Sequence, residues 1–285
     1  MSIPQSEKVH GANRNTKFMF DKIKKRTLIK NMILRRLGNK SQIADKIIPY
    51  FPTHKIYIEP FFGAGGMFFN KPKAQYNIVN DIDSDVFNLF QVVSNQKEEL
   101  EKAFFEMPIH SDLLEYWKAN KETDSIRRAL RFLFLSNFTL NGTGSCIRFI
   151  SGDPKGFLLN NLCVTNKLLF DVQFANYDFR EFLNKFSFRN EVEQSTSFIY
   201  SDKPYSDTVN NYSNDWSAQD DIDLLDVLDS TNCKYAVSEF EGSHFEKLAL
   251  EKGLNKIIIG ERQNLKNRRV EILLCNYQSE GRLFN

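Results

Sequence analysis

The pattern of apolar and polar positions predicts an alternation of short strands and helices. Two short apolar runs, at 55–59 and 77–80, have the length and β-branched or aromatic content of buried strands. The glycine-rich segment 60–66 separates them, and a helix is predicted to begin near Ser84. Strand, glycine-rich turn, helix and strand indicate the opening of a parallel α/β sheet.

The middle of the chain interrupts this alternation. Residues from about 84 to 140 predict helices, and the glycine-containing segment 141–161 predicts an exposed hairpin or loop that carries Arg148 and Lys155. Sheet elements are expected to resume afterwards, as strands at 186–188, 198–200, 235–237, 256–259 and 271–277, with a helix at 219–229. We therefore expect a sheet domain into which a second domain is inserted.

Composition narrows the class of protein. The chain has 285 residues, of which 41% are apolar and 26% charged, which is typical of a soluble globular protein. It has no apolar run of the roughly 20 residues that a membrane span needs, and its start lacks the apolar core of a secretory signal. We expect a cytoplasmic protein with no membrane association. The four cysteines and four histidines are scattered, so we expect free thiols and no metal site.

The net charge of +2 hides an uneven distribution. Residues 1–40 carry eleven Lys or Arg and two acidic residues, a local balance of +9, which leaves −7 for the rest of the chain. Residues 1–30 are therefore predicted to form a basic N-terminal arm. Such an arm suits contacts with phosphate groups, although a solvated tail would have the same composition.

Three predicted loops at the carboxyl ends of strands contain candidate binding and catalytic residues, because ligands of open parallel sheets bind at that edge. The first is the segment 60–66, where glycine allows a ligand to approach the backbone closely, although a plain tight turn has the same residues. The second supplies Asp81, about 20 residues further on, at the spacing of an acidic residue that meets ribose hydroxyls. The third is the segment 201–205, with Asp202 and Tyr205.

Six motifs together resemble those of the Dam-like (D12 class, alpha-type) DNA adenine-N6 methyltransferases. They follow the family's order: LGNK at 37–40, EPFFGAGG at 59–66, NDID at 80–83, RALRFLFLSNFTLNG at 128–142, YSDKPY at 200–205 and EILLCNY at 271–277. The resemblance implies a Rossmann-like S-adenosylmethionine-dependent methyltransferase sheet with an inserted, mainly helical target-recognition domain that carries a hairpin. It implies domain bounds of 31–105 and 173–285 for the catalytic part and 106–172 for the insertion.

The same resemblance implies roles for individual residues. S-adenosylmethionine, with S-adenosylhomocysteine as product, would be bound by Gly38, Asn39, Lys40, Pro60, Phe62, Gly63, Gly65, Asp81, Ile82, Asp178 and Asp202. The target base would be held by the catalytic motif Asp202, Lys203, Pro204 and Tyr205. DNA contacts are expected from Asn141, Arg148, Lys155 and Arg268. The expected partner is double-stranded DNA, and the expected state is a monomer. Partnership with a restriction endonuclease is left open.

The residues Asp202 and Tyr205 also have a physical rationale of their own. An adenine amine is a poor nucleophile because its lone pair is delocalised into the ring. The Asp202 carboxylate and the backbone carbonyl of residue 203, aimed at its N–H groups, would let the nitrogen pyramidalise and attack a methyl group. Tyr205 offers a face for a base turned out of the duplex, where the amine becomes accessible.

Lys203 departs from the family's motif, which has proline at this position. A lysine keeps the backbone carbonyl but loses the fixed φ of proline. A side chain directed to solvent would only tune activity, whereas one directed inward would block cofactor or base and leave a silent DNA-binding relative. A phosphate contact, an introduced change and an RNA adenine methyltransferase are further alternatives. Arg36, where relatives often have an aromatic residue, is a second departure.

Overall fold

A computed structural model of the chain describes residues 32–36, 38–149, 151–205, 216–263 and 268–279. The predicted basic arm at 1–30 and Leu37 of the LGNK motif lie outside the described residues. The described part is an α/β structure, as the strand and helix alternation predicts. None of its helices is both long and apolar enough to span a membrane.

Seven strands form one sheet in the order β3-β2-β1-β4-β5-β7-β6. Their bounds are β1 Ile56–Glu59, β2 Tyr76–Asn80, β3 Val172–Ala175, β4 Ser197–Ser201, β5 Lys234–Phe240, β6 Asn255–Gln263 and β7 Arg268–Cys275. β1 to β5 pair in parallel, and β7 runs antiparallel between β5 and β6. The strand order changes direction between β1 and β4, which places the ligand-binding crevice of such a sheet beyond their carboxyl ends.

Helices cover both faces of the sheet. They are α1 Ala44–Ile47, α2 Ser84–Asn95, α3 Lys97–Glu106, α4 Ser111–Ala119, α5 Ser125–Phe138, α6 Pro154–Leu169, α7 Phe179–Asn184, α8 Glu191–Ser195, α9 Ala218–Ser230 and α10 His244–Glu251. Asp side chains at 83 and 124 accept backbone N–H groups at the starts of α2 and α5, and Ser217 and Asp220 form a capping box at α9. The predicted helices over 84–140 and 219–229 are confirmed.

The strands β1 and β4 are buried along their whole length, as expected for parallel strands covered on both faces. On one face, Tyr57 and Phe198 pack in a core that continues into Phe90 of α2 and Phe134 of α5. A second core on the other face is built from α7, α9 and α10. The strand ends that face the crevice are therefore held from both sides.

One predicted strand was wrong, and one observed strand was not predicted. The segment 186–188 is not a strand, because Phe186 and Phe188 pack against one another and Phe186 packs against Phe182 after helix α7. The third parallel strand is instead β3, Val172–Ala175. The alternation Phe-Ser-Phe has strand periodicity but belongs to an aromatic cluster.

The predicted hairpin is shorter than expected. Thr139 and Ile147 form an antiparallel bridge, which confirms a small hairpin that carries Asn141 and Arg148. Lys155, however, lies on the first turn of α6, so its placement on the hairpin was wrong. Asp153 accepts the backbone N–H of Gly156 and Pro154 follows it, which is a helix start that the nearby glycines obscured.

Candidate functional site

A cleft opens at the carboxyl ends of β1, β2 and β4, where the fold predicts a ligand site. It encloses about 1130 Å³ of space, including its open mouth. Most residues that the sequence assigns to cofactor binding line it: Gly38, Asn39, Lys40, Pro60, Phe62, Gly63, Asp81, Ile82, Asp178 and Asp202. Pro204 lines it too, and so do Glu59, Phe61, Asn80 and Trp216, which the sequence analysis did not assign.

The glycine-rich loop turns sharply between β1 and the next element. Gly65 has φ +71°, and a β-carbon there would lie 2.4 Å from the Phe69 ring, so the position requires glycine for both conformation and space. Gly63 has φ +55°, but a β-carbon there would meet nothing within 4 Å. Gly63 therefore presents its backbone to the open cleft, while Gly65 supports the turn beneath it.

Asp81 joins this loop to the end of β2. Its carboxylate accepts the backbone N–H groups of Gly63 at 2.6 Å and Asp83 at 2.9 Å. Burial raises the pKa of Asp81 to about 6, although the nearby charge of Arg36 and these hydrogen bonds oppose that shift. Arg36 lines the cleft and pairs with Asp83 at 2.8 Å, so the second departure from the family places a positive charge in the otherwise acidic wall of the site.

Asn80, the last residue of β2, ties three loops together. Its amide donates to the carbonyl of Pro60 and to the carbonyl of Tyr177, both at 3.0 Å. Its side-chain oxygen accepts the N–H of Tyr177 at 2.9 Å. The loop after β3, which carries Asp178, is thereby fixed against the glycine-rich loop. Asp178 itself caps α7 and pairs with Arg180.

Glu59, at the end of β1, is a buried carboxyl group in the wall of the cleft. Its Oε2 accepts the hydroxyl of Tyr57 at 2.8 Å. Burial raises the pKa of Glu59 to about 8, despite the opposing effects of this hydrogen bond and of the charge on Lys71. The wall of the cleft thus contains a carboxyl group that holds a proton near neutral pH.

Lys40 is the centre of a buried polar cluster at the catalytic motif. Its Nζ donates to Asp202 Oδ1 at 2.7 Å and to the hydroxyl of Tyr205, and it lies 3.2 Å from Glu271 Oε1. Tyr205 donates to the same Glu271 oxygen at 3.1 Å. Asn39 holds this turn by accepting the N–H of Ser41. Lys40 and Glu271 thus fix the orientation of Asp202 and of the Tyr205 ring.

Lys203 points away from the cleft. Its Nζ lies 2.7 Å from Glu239 Oε2 and 3.0 Å from Asp221 Oδ1, in a buried cluster beneath the motif. The sequence analysis considered a side chain that points to solvent and one that points into the cleft. The structure shows neither, because Lys203 is buried beneath the motif. The alternative of a phosphate contact is likewise incompatible with this side chain, which is fully buried.

The predicted DNA contacts differ in their surroundings. Asn141, with φ 54°, and Arg148 are exposed on the small hairpin. Lys155 donates to the carbonyl of Phe105 at 2.9 Å and to that of Met107, at the carboxyl end of α3. Arg268 begins β7 and pairs with Glu261 at 3.1 Å. Asn141 and Arg148 lie together, whereas the ammonium group of Lys155 is committed to a helix end.

Three buried polar residues of the site were not assigned from the sequence, namely Glu59, Asn80 and Glu271. Each lies at the end of or within an apolar run that reads as a buried strand, and buried polar groups are rare without a partner. That anomaly is the signal that could have identified them.

Comparison with known proteins identifies a matching family and several similar proteins. The family described as D12 class N6 adenine-specific DNA methyltransferase matches residues 37–258. The DNA adenine methylase of Escherichia coli (strain K12) is 24% identical over 252 residues, which cover 86% of this chain and 80% of that protein. The DNA adenine methylase of Haemophilus influenzae is 34% identical over 117 residues, 38% of this chain and 41% of that protein. Among solved structures, the rRNA methyltransferase AviRa of Streptomyces viridochromogenes aligns over 82% of both chains with a TM-score of 0.36 and 11% identity.

Proposed function

Because the chain belongs to the D12 class N6 adenine-specific DNA methyltransferase family and is a DNA adenine methyltransferase, we propose that it takes the methyl group from S-adenosylmethionine and transfers it to an adenine turned out of duplex DNA at a specific site. The observation that carries this proposal is the position of Asp202. Its carboxylate lines the cleft and is oriented by Lys40 at 2.7 Å.

The residues of the cleft fit S-adenosylmethionine. The open space above Gly63 is a cradle that a β-carbon would enter. Carboxyl groups of Asp81 and Asp202 face the same space and suit a cationic ligand with hydroxyl and amine donors, and the protonated Glu59 adds a neutral hydrogen-bonding group. Phe61, Phe179 and Trp216, whose ring centroids lie 5.4–5.6 Å apart, add an aromatic wall for an adenine ring.

S-adenosylmethionine supplies an electrophilic methyl group on a positively charged sulfur. Gly63, Asp81 and Asp202 would hold it, and it would supply the methyl carbon to adenine N6 while its sulfur keeps the electron pair of the carbon–sulfur bond that is broken. The amine loses one proton. Asp202 and the carbonyl of Lys203 would accept the two N–H groups beforehand, which directs the nitrogen lone pair out of the ring plane. Asp202 or water then receives the proton.

The catalytic motif also provides a platform for the base. The Tyr205 ring packs on Phe240 with centroids 4.5 Å apart, and its hydroxyl is held by Lys40 and Glu271. Burial raises the pKa of Tyr205 well above its ordinary value, with the charges of Asp202 and Glu271 acting in the same direction, so the ring stays neutral. A neutral, fixed ring suits stacking of an extruded base.

The hairpin is the proposed reader of DNA. Asn141 and Arg148 are both exposed there, and both side chains can make two hydrogen bonds to a base edge. Arg268 would add a phosphate contact. Lys155 is less suited, because its ammonium group stabilises the end of α3. Since Lys203 leaves the cleft clear, its position supports an active enzyme over a silent binding protein.

The test is transfer of label from S-adenosylmethionine to unmethylated genomic DNA, followed by digestion to nucleosides. We expect label in N6-methyladenine. Asp202→Asn keeps the shape of the side chain but has one neutral acceptor oxygen in place of the two oxygens of a charged carboxylate. We expect it to lower the transfer rate by about 10²–10³-fold.

The control for Asp202→Asn is the dissociation constant of S-adenosylhomocysteine, which should change much less than the rate. Label in N4-methylcytosine, or label only when RNA is supplied, would contradict the proposed target. If the Asn variant transfers methyl groups at the parent rate, the Asp202 carboxylate is not needed for the reaction.

A further inference from the structure

Lys203 occupies a site built for a buried ammonium group. Its side chain is 0% exposed, and the carboxylates that contact it, from Asp221 and Glu239, are 0% and 2% exposed. Asp221 comes from α9 and Glu239 from β5, so two separate elements converge on one residue of the catalytic motif. The arrangement is therefore specific to a cation at position 203.

Both carboxylates are held in place by groups other than the lysine. Trp216 Nε1 donates to Asp221 Oδ1 at 2.7 Å, and His244 Nδ1 lies 3.4 Å from Asp221 Oδ2. Glu239 Oε1 accepts the N–H of Phe240 at 2.6 Å. The ammonium group also lies 4.7 Å from the centre of the Phe245 ring of α10. The pocket that receives the lysine is thus preorganised by groups from α9, β5 and α10.

The ammonium group also contacts the backbone of the motif that contains it. Lys203 Nζ donates to the carbonyl oxygen of Pro204 at 3.3 Å, in addition to its two carboxylates. The peptide between Pro204 and Tyr205 is thereby tied to α9 and β5. The lysine restrains the backbone that presents the carbonyl of residue 203 on one side and the Tyr205 ring on the other.

A buried ion pair of this kind is a weak source of stability, because desolvation offsets much of the attraction. We therefore relate the ion pair to the position of the backbone rather than to stability. The family's proline at this position would fix φ covalently. We infer that Lys203 is a positioning residue: its ion pairs with Asp221 and Glu239 replace the proline ring in holding the acceptor carbonyl and Tyr205 against the target base. This inference rests on the proposed function.

The test compares two variants in which the carboxylates are neutral and only position 203 differs. Both carry Asp221→Asn and Glu239→Gln, so neither leaves an uncompensated buried charge. One adds Lys203→Met, which keeps the volume without charge, and the other adds Lys203→Pro, which restores the covalent restraint. Single-turnover methyl transfer to genomic DNA is measured for each, together with the thermal midpoint and the dissociation constant of S-adenosylhomocysteine.

We expect the Met variant to fold and to bind S-adenosylhomocysteine within about threefold of the parent, but to transfer at least about tenfold more slowly. We expect the Pro variant to recover most of the lost rate. A Met variant as fast as the parent, or a Pro variant as slow as the Met variant, would overturn the inference while leaving the proposed function intact.

Two further outcomes are distinguishable from these. A parent chain that labels no DNA overturns the proposed function and the inference together. If the Met variant fails to fold, Lys203→Arg in the otherwise unchanged chain decides, because it keeps the charge with a longer, planar head. A lower transfer rate with unchanged S-adenosylhomocysteine binding supports the inference, and an unchanged rate overturns it.

Discussion

Three lysines among the described residues are buried, and each has different partners. Lys40 is paired with Asp202 and Glu271, and Lys203 with Asp221 and Glu239. Lys71 lies 3.8 Å from the centre of the Tyr57 ring and donates to the carbonyl of Pro72, and burial lowers its pKa to about 8. Individual buried charges, rather than a general basic surface, thus organise the site at the scale of single residues.

At this scale, the raised pKa of Glu59 leads to a prediction about how stability depends on pH. Its pKa is raised from an ordinary value of 4.5 to about 8 by burial, so the folded state keeps a proton that the unfolded state releases between those values. The contribution of this proton to the free energy of unfolding is therefore complete below about pH 4.5, and it is lost as the pH rises through about 8. Glu59→Gln, which stays neutral, should lack this loss.

The measurement is the free energy of unfolding in urea at about pH 5 and about pH 8 for both proteins. Between these values the parent should lose at least about 1 kcal/mol more than Glu59→Gln. Equal losses would show that Glu59 is ionised in the folded state at the higher pH at little cost.

At the scale of elements, the sequence predicted what depends on local pattern. The strands β1, β2 and β4 and the loops after them are correctly placed, because fully buried parallel strands read as short apolar runs. What it did not predict depends on distant partners: Lys40 meets Glu271, far along the chain, through the pairing of β5 with β7. The direction of Lys203 depended in the same way on Asp221 and Glu239, which no local pattern connects to the motif.

The glycine-rich loop gives a prediction at this scale. Gly65→Ala places a β-carbon 2.4 Å from Phe69 and 2.8 Å from Phe62, in a conformation with φ +71°. We expect a loss of about 2–4 kcal/mol in stability, from strain and overpacking together. The thermal midpoint and S-adenosylhomocysteine binding should both fall.

Gly63→Ala is the matched control in the same loop. Its φ of +55° carries the conformational cost, but its β-carbon meets nothing within 4 Å. It should lose only about 1 kcal/mol of stability while still weakening S-adenosylhomocysteine binding, because the new methyl group enters the cleft. Equal destabilisation of the two variants would contradict the packing argument.

At the scale of the whole molecule, the predicted recognition insertion and the sheet share one core. Tyr57 and Phe198 of the sheet belong to the same buried cluster as Phe134 and Leu158 of helices α5 and α6. Phe90 of α2 packs against both Phe62 of the glycine-rich loop and Phe174 of β3, with ring centroids 4.9 and 5.6 Å apart. The bounds 106–172 remain a prediction about function, since the core is continuous across them.

The uneven charge of the chain also belongs to this scale. Residues 1–30 carry eight Lys or Arg and two acidic residues. Deletion of residues 2–30 should weaken binding to duplex DNA at low salt by at least about tenfold and make its salt dependence shallower, by about 0.9 in the slope for each phosphate group that the arm neutralises. S-adenosylhomocysteine binding should be unchanged. An unaltered salt slope would show that the arm does not contact DNA.

The contact of Phe90 with Phe62 has a consequence for how such an enzyme acquires a new target sequence. Phe90 shares its core with Phe134 and Leu158 of the predicted recognition insertion, so repacking the interior of that insertion would disturb the loop that we propose holds the methyl donor. We expect such a change to be selected against even when it improves the reading of DNA. Variation is expected instead at exposed positions such as Asn141 and Arg148, whose replacement leaves the interior untouched. If these residues read DNA as proposed, we expect new target sequences to arise by a few exposed substitutions rather than by exchange of the whole insertion.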